Sequence, residues 1–265
     1  MATPKTDRMR FHGLAPRGPV AYHGPQTGAA VSVGAATTGF SMDRVICIDG
    51  PAGAGKSTIA RAVAKRLGYL YVDSGALYRI ATWKALREGV DTSDEAAMTA
   101  FAETFDIDFS VRDGAIVQSV DGVEPGLELR TPEVNAHVSP VAVVPAIRAK
   151  VTALLRRMPA LGPLSVEGRD IGSVVYPDSP ARFYLDADPD ERTRRRLRED
   201  VARGFMTEAD ADKVRASLLA RDKIDSTRKT APLKVPEGAI VIDTTPLGIE
   251  EVVEAVISRL PEGWA

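Results

Sequence analysis

Long apolar runs are missing from this 265-residue chain, and no stretch is long and apolar enough to cross a bilayer as a helix. Cysteine is nearly absent: Cys47 stands alone, which excludes an internal disulfide framework and leaves a small buried apolar residue as its plain role. The three histidines, His12, His23 and His137, show no metal-ligand spacing. Charge of one sign is scarce too. A net charge of −2 argues against a general binder of nucleic acid or acidic membrane. No nucleic-acid or membrane partner is therefore expected, and a cytoplasmic enzyme is the default. Residues 1–42 hold one acidic residue, Asp7, and no sustained periodicity, so they are expected to form a disordered N-terminal extension. Three origins fit it: a transit peptide, a tail or linker, or sequence upstream of a true start at Met42.

What is present is ordinary in bulk and specific in detail. An apolar content of 44% and a charged content of 26% suit one large or two small globular domains with a substantial core. The run Gly50-Pro51-Ala52-Gly53-Ala54-Gly55-Lys56-Ser57-Thr58 has the form G-x-x-x-x-G-K-[ST]. Chance would produce that form in a chain of this length on the order of 1% of the time. An apolar strand pattern, Val45 to Ile48, leads in and a helical pattern, Thr58 to Leu67, leads out. Glycines let consecutive N–H groups turn toward phosphate oxygens, and the helix N-terminus adds its positive end. Lys56 can reach the β- and γ-phosphates of ATP, and the Ser57 hydroxyl can ligate Mg2+. Asp49, just before the loop, is read as support for its geometry and not as a base.

Strand-like runs alternate with helical ones along the rest of the chain. Strands are expected at Val45–Ile48, Tyr69–Val72, Leu164–Val166, Arg182–Leu185 and Ala239–Ile242. Several end in an acidic residue or run into one, as buried parallel strands do at a ligand crevice. Helices are expected at Leu77–Glu88, Pro145–Met158, Asp190–Ala202, Glu208–Asp222 and Gly248–Arg259, with Gly204 helping to end the third of these. The fold class is thus α/β: a P-loop, doubly wound, five-stranded parallel sheet with helices on both faces. Residues 104–130 break the alternation. Phe105–Val111, Ala115–Val120 and Leu127–Leu129 read as short strands separated by Asp113-Gly114 and Asp121-Gly122, which predicts a small antiparallel insert.

Four more motifs follow the loop: Asp73-Ser74-Gly75-Ala76-Leu77-Tyr78-Arg79; Arg130-Thr131-Pro132-Glu133-Val134 with Ser139 and Arg148; Glu167-Gly168-Arg169-Asp170-Ile171-Gly172; and Arg221-Asp222-Lys223-Ile224-Asp225-Ser226-Thr227-Arg228. In this order and spacing, over about residues 44–260, the chain closely resembles the bacterial-type cytidylate kinases, a branch of the nucleoside monophosphate kinases. The resemblance implies a kinase domain over 43–260: a core of 43–80 and 160–260, an acceptor-binding insert near 81–159, a helical lid near 188–212, and a C-terminal tail at 261–265. It implies ATP as phosphoryl donor, CMP and dCMP as acceptors, and a monomer. Arg79, Arg169 and Arg228 suit an acceptor phosphate, because guanidinium groups grip phosphate in bidentate fashion. The resemblance assigns Asp170 and Ser139 to the cytosine amino group, Arg148 to the ring acceptors, and Arg221 and Asp225 to sugar hydroxyls. It also suggests that Arg192 and Arg195, in a charge-rich helix, swing onto the ATP phosphates. Ser74 has two readings: a contact to base or phosphate, or a cap on the following helix. Other acceptors, such as UMP, GMP or a shikimate-like molecule, and a non-catalytic P-loop binding protein are the competing functions. A GTPase-type N-K-x-D reader and an L-S-G-G-Q signature are both absent from the sequence.

Overall fold

The computed structural model describes residues 44–265; the expected N-terminal extension lies outside them. Its elements are, in chain order, β1 (Val45–Asp49), α1 (Lys56–Leu67), β2 (Leu70–Asp73), α2 (Ser74–Arg87), α3 (Glu95–Ala102), β3 (Ile107–Arg112), β4 (Ala115–Val120), α4 (Pro132–Val143), α5 (Pro145–Arg157), β5 (Leu164–Gly168), β6 (Ala181–Asp186), α6 (Pro189–Ala202), α7 (Ala211–Thr227), β7 (Ile240–Asp243) and α8 (Ile249–Ile257). They build one seven-stranded sheet in the order β3-β4-β2-β5-β1-β6-β7. The five expected strands form its parallel part, with β1 between β5 and β6.

Every residue of β1 is buried, as a central parallel strand requires. The period-2 pleat splits its side chains between two cores. Val45 and Cys47 join α2, α5 and the β3–β4 hairpin on one face. Ile46 and Ile48 join α1 and α8 on the other. Burial pushes the Cys47 thiol far up, so it remains neutral. A smaller cluster of Leu197, Val214 and Leu218 with Ala52 ties α6 and α7 to the P-loop. Gly204 (φ 74) follows the end of α6 and returns its N–H to the Val201 carbonyl, the expected stop signal.

Two expectations for the insert need correction. Leu127–Leu129 lies within a 3₁₀ turn, Gly126–Arg130, and not in a strand. Gly126 adopts φ 57 after Pro125, and that geometry turns the chain where a strand would extend it. The hairpin is antiparallel as expected, with Ile107 opposite Val120. It is continuous with the main sheet, however, because β4 lies parallel to β2 at Tyr71 and Ala115. Among the described residues, no single helix is long and apolar enough to cross a membrane.

Candidate active site

The carboxyl ends of β1, β2 and β5 open into a cleft. The P-loop forms one wall. Gly50 stands at φ 146, and a Cβ there would overlap the Leu185 carbonyl on β6. Gly53 stands at φ 79, with the Arg192 carbonyl 2.7 Å from where a Cβ would be. Both positions therefore demand glycine, for conformation and for space. The N-terminus of α1 carries no side-chain cap at Gly55, so its N–H groups remain available to an anion.

Ala52, Gly53, Gly55, Lys56, Ser57 and Thr58 line the cleft, while Gly50, Pro51 and Ala54 lie behind them and shape the loop. Lys56 is buried and donates from Nζ to the Pro51 carbonyl at 2.6 Å. Burial, then the Arg169 charge, lowers its pKa to about 7. Ser57 donates to the Glu167 carboxylate, which also accepts from the Tyr71 hydroxyl at 3.1 Å. That hydroxyl–carboxylate pair supplies the hard oxygen ligands that suit Mg2+. The described residues hold no cluster of three His, Cys, Asp or Glu side chains of metal-binding geometry.

The opposite wall is built from side chains far apart in sequence. Asp170, at the end of β5, pairs with Arg148 from α5, and Arg228 Nη2 lies 3.5 Å from its other oxygen. Arg148 is further held by the Ala142 carbonyl at 3.0 Å and stacks over the Tyr78 ring at 5.4 Å. Asp225, on α7, stands among three guanidinium groups. Arg169 Nε donates to it at 3.0 Å, and Arg228 and Arg221 lie at 3.6 and 3.7 Å. Burial alone would raise the Asp225 pKa, but Arg169, Arg221 and Arg228 outweigh it and hold the carboxyl below its ordinary value. Burial and the neighbouring Arg169 lower Arg221 to about 10. Arg228 Nη2 and Arg221 Nε are buried without a hydrogen-bond partner among the described residues. Unsatisfied cationic donors in a cleft are what an anionic or hydroxyl-bearing ligand would complete.

Ser74, Arg79 and Ser139 also line the cleft. Arg79 is engaged by the Leu129 carbonyl at 3.2 Å and by Asn135 Oδ1 at 2.6 Å, and its burial pushes its pKa down. The capping reading of Ser74 is corrected. Asp73 caps α2 by accepting from Ala76 N–H at 3.0 Å, and Ser74 Oγ donates to the Glu167 carbonyl at 2.6 Å. Asp49 also departs from expectation: its carboxylate accepts from Ile171 and Gly172 on the opposite wall, not from the loop it precedes.

Arg192 and Arg195 stand outside the cleft lining. Arg192 is buried, donating to the carbonyls of Ala187 at 3.1 Å and Ala52 at 3.2 Å and pairing with Asp222. Arg195 binds Glu191 at 2.7 Å and both oxygens of Thr244, at 2.9 and 2.7 Å. Arg196, one residue on, does line the cleft. Sequence reasoning passed over Arg196, Asn135, and the Asp73–Arg130 pair at 2.5 Å. Asp73 and Arg130 sit inside quoted motifs, so a signal existed for them. Nothing local marked Asn135.

Known proteins share much of this sequence. The family model "Cytidylate kinase" matches residues 46–262. The cytidylate kinase of Pelotomaculum thermopropionicum is 41% identical over 219 residues, spanning 82% of this chain and 96% of that protein. That of Clostridioides difficile is 43% identical over 216 residues, spanning 82% and 97%. A bifunctional pantoate ligase/cytidylate kinase of Synechococcus sp. is 42% identical over 220 residues, spanning 82% of this chain and 45% of the longer protein. Since one family model spans nearly all of the described residues, and full-length relatives share two residues in five, the chain belongs to the cytidylate kinase family.

Proposed function

We propose that this chain transfers the γ-phosphoryl group of ATP to a phosphate oxygen of CMP or dCMP, giving ADP and CDP or dCDP. The observation that carries the reading is the buried Arg148–Asp170–Arg228 cluster facing the P-loop across one cleft. The Asp170 carboxylate can accept from the cytosine amino group, with Ser139 beside it, while the Arg148 guanidinium serves the ring acceptors. Arg79, Arg169 and Arg228 are assigned to the acceptor phosphate, and Arg221 and Asp225 to the sugar. Lys56 and the loop N–H groups hold the donor phosphates. Arg192 and Arg195 are assigned to the ATP side of the lid, near 188–212, which closes against the insert near 81–159.

The attacking phosphate oxygen is largely ionised at neutral pH, because the second phosphate pKa is about 6, so no general base is required. It attacks the γ-phosphorus in line as the bond to the β-phosphate oxygen breaks. Positioning and charge neutralisation carry the catalysis. Ser57 and Glu167 are the residues that would hold Mg2+, which would supply positive charge to offset that of the donor phosphates. Lid closure excludes water and suppresses ATP hydrolysis. We take the enzyme to be a cytoplasmic monomer acting on small molecules.

The test is coupled ADP production from ATP and Mg2+ with CMP, dCMP, UMP, GMP and AMP. Strong turnover of CMP and dCMP is expected. Preference for another acceptor would overturn the base assignment, and no acceptor-dependent turnover would overturn the enzyme.

A further inference from the structure

The backbone that carries Arg169 and Asp170 leaves the sheet abruptly. Asp170 has φ −149 and ψ 25, and a single π-helical turn, Ile171–Val175, follows with no side-chain cap of its own. Its first N–H groups need a partner, since the opening turn of any helix leaves donors unpaired. One side chain takes two of them. Asp49 Oδ1 accepts from Ile171 N–H at 2.8 Å, and Oδ2 accepts from Gly172 N–H at 2.7 Å. Asp49 is fully buried, is the last residue of β1, and is followed directly by Gly50 of the P-loop. Lys56 donates to Pro51 and not to Asp49, whose carboxylate hydrogen-bonds to these two amides.

We propose that Asp49 is a positioning residue for base selection: through Ile171 and Gly172 it sets where Asp170 meets the acceptor, registered to the strand that ends in the phosphate loop. The proposal rests on the cytidine-acceptor reading above. The two bonds begin one residue after Asp170, and Asp170 in turn meets Arg148 and Arg228. Charge-assisted bonds to a buried carboxylate are stiffer than neutral ones, so a donor strand and an acceptor-reading turn become one rigid unit. Burial pushes the Asp49 carboxyl up to about 6, while the Gly172 and Ile171 amides, each donating to one oxygen, favour the charged form. Asp49 touches no reacting atom in this arrangement, and its influence passes through the turn.

The experiment compares the parent, D49N, D170N and the double variant. It reads kcat and KM for CMP and UMP, KM for ATP, melting curves, and amide hydrogen exchange over residues 171–175. D49N places an NH2 group against a backbone N–H, leaving a buried donor unmatched. The preference for CMP over UMP is expected to fall about tenfold, with KM for ATP held within about twofold. In the D170N background the same change is expected to add nothing to base preference, because coupled residues do not act additively. Exchange at Ile171 and Gly172 is expected to speed up. A raised KM for ATP with base preference intact would overturn the proposal, as would multiplied effects in the double variant or unchanged exchange. If D49N fails to fold, D49S, which retains one acceptor oxygen, is subject to the same outcomes. A parent chain inactive on CMP would sink the acceptor reading instead, and exchange at Ile171 and Gly172 would still decide whether Asp49 holds the turn.

Discussion

The two walls of the cleft are made in opposite ways. The donor wall is backbone: residues 50–58 are contiguous, glycines set their path, and the groups offered to a ligand are mostly N–H. The acceptor wall is side chain. Arg148, Asp170, Asp225 and Arg228 come from α5, the end of β5, α7 and the residue just past it, and they hold one another by ion pairs. A backbone cradle tolerates little change at its glycines but accepts any nucleotide's phosphates. A side-chain network can be retuned residue by residue, and that is where a kinase can tell one acceptor from another.

If this division holds, damage to one wall should leave the other working. The largest effect is expected from Lys56→Met, with kcat falling about 10²- to 10³-fold while CMP binding by calorimetry stays intact. Chelating Mg2+ with EDTA should likewise stop turnover without releasing CMP. Next comes Asp170→Asn, which should lower kcat/KM for CMP about 10- to 100-fold and flatten the acceptor panel, with KM for ATP unchanged. A change in ATP affinity in that variant would break the distinction between the walls. Asp222→Asn frees Arg192 from its pair beside the P-loop. It should raise KM for ATP about fivefold, roughly the worth of one hydrogen bond, and spare CMP. The smallest effect is a pH effect on stability. The folded-state pKa of Asp225 is depressed, so its arginine contacts stabilise the fold fully above the ordinary Asp value of about 3.9. That contribution is lost as pH falls through the depressed value, because protons then favour the unfolded chain. Melting temperature against pH should show the loss in the parent and a flatter acid limb in Asp225→Asn.

The same contrast explains what could be read from the residues alone. The P-loop and the strands of the parallel sheet were legible because their signals are local: a fixed motif, apolar runs, acidic ends. The helix α4 was not. It carries Pro140 in its interior and no clean apolar stripe, so neither propensity nor periodicity marks it, and contacts with α2 and α5 hold it in place. The residues proposed for the acceptor were named from motif resemblance. Their mutual pairing could not be read that way, since Arg148 and Asp170 are 22 residues apart and Arg169 and Asp225 are 56 apart. Leu127–Leu129 misled because a short β-prone run after Asp-Gly looks like another strand, while Pro125 and Gly126 close a 3₁₀ turn there.

The seam between β2 and β4 has a practical consequence for anyone exchanging the β3–β4 hairpin between relatives. Tyr71 joins both sides of it: its N–H donates to the Gly114 carbonyl at 2.9 Å, and its hydroxyl reaches Glu167 at 3.1 Å. A chimaera cut after residue 80 would graft a foreign hairpin onto a native β2 and mismatch that junction. Parent segments 70–73 and 107–120 should travel together as one cassette, with Glu167 matched to the incoming tyrosine.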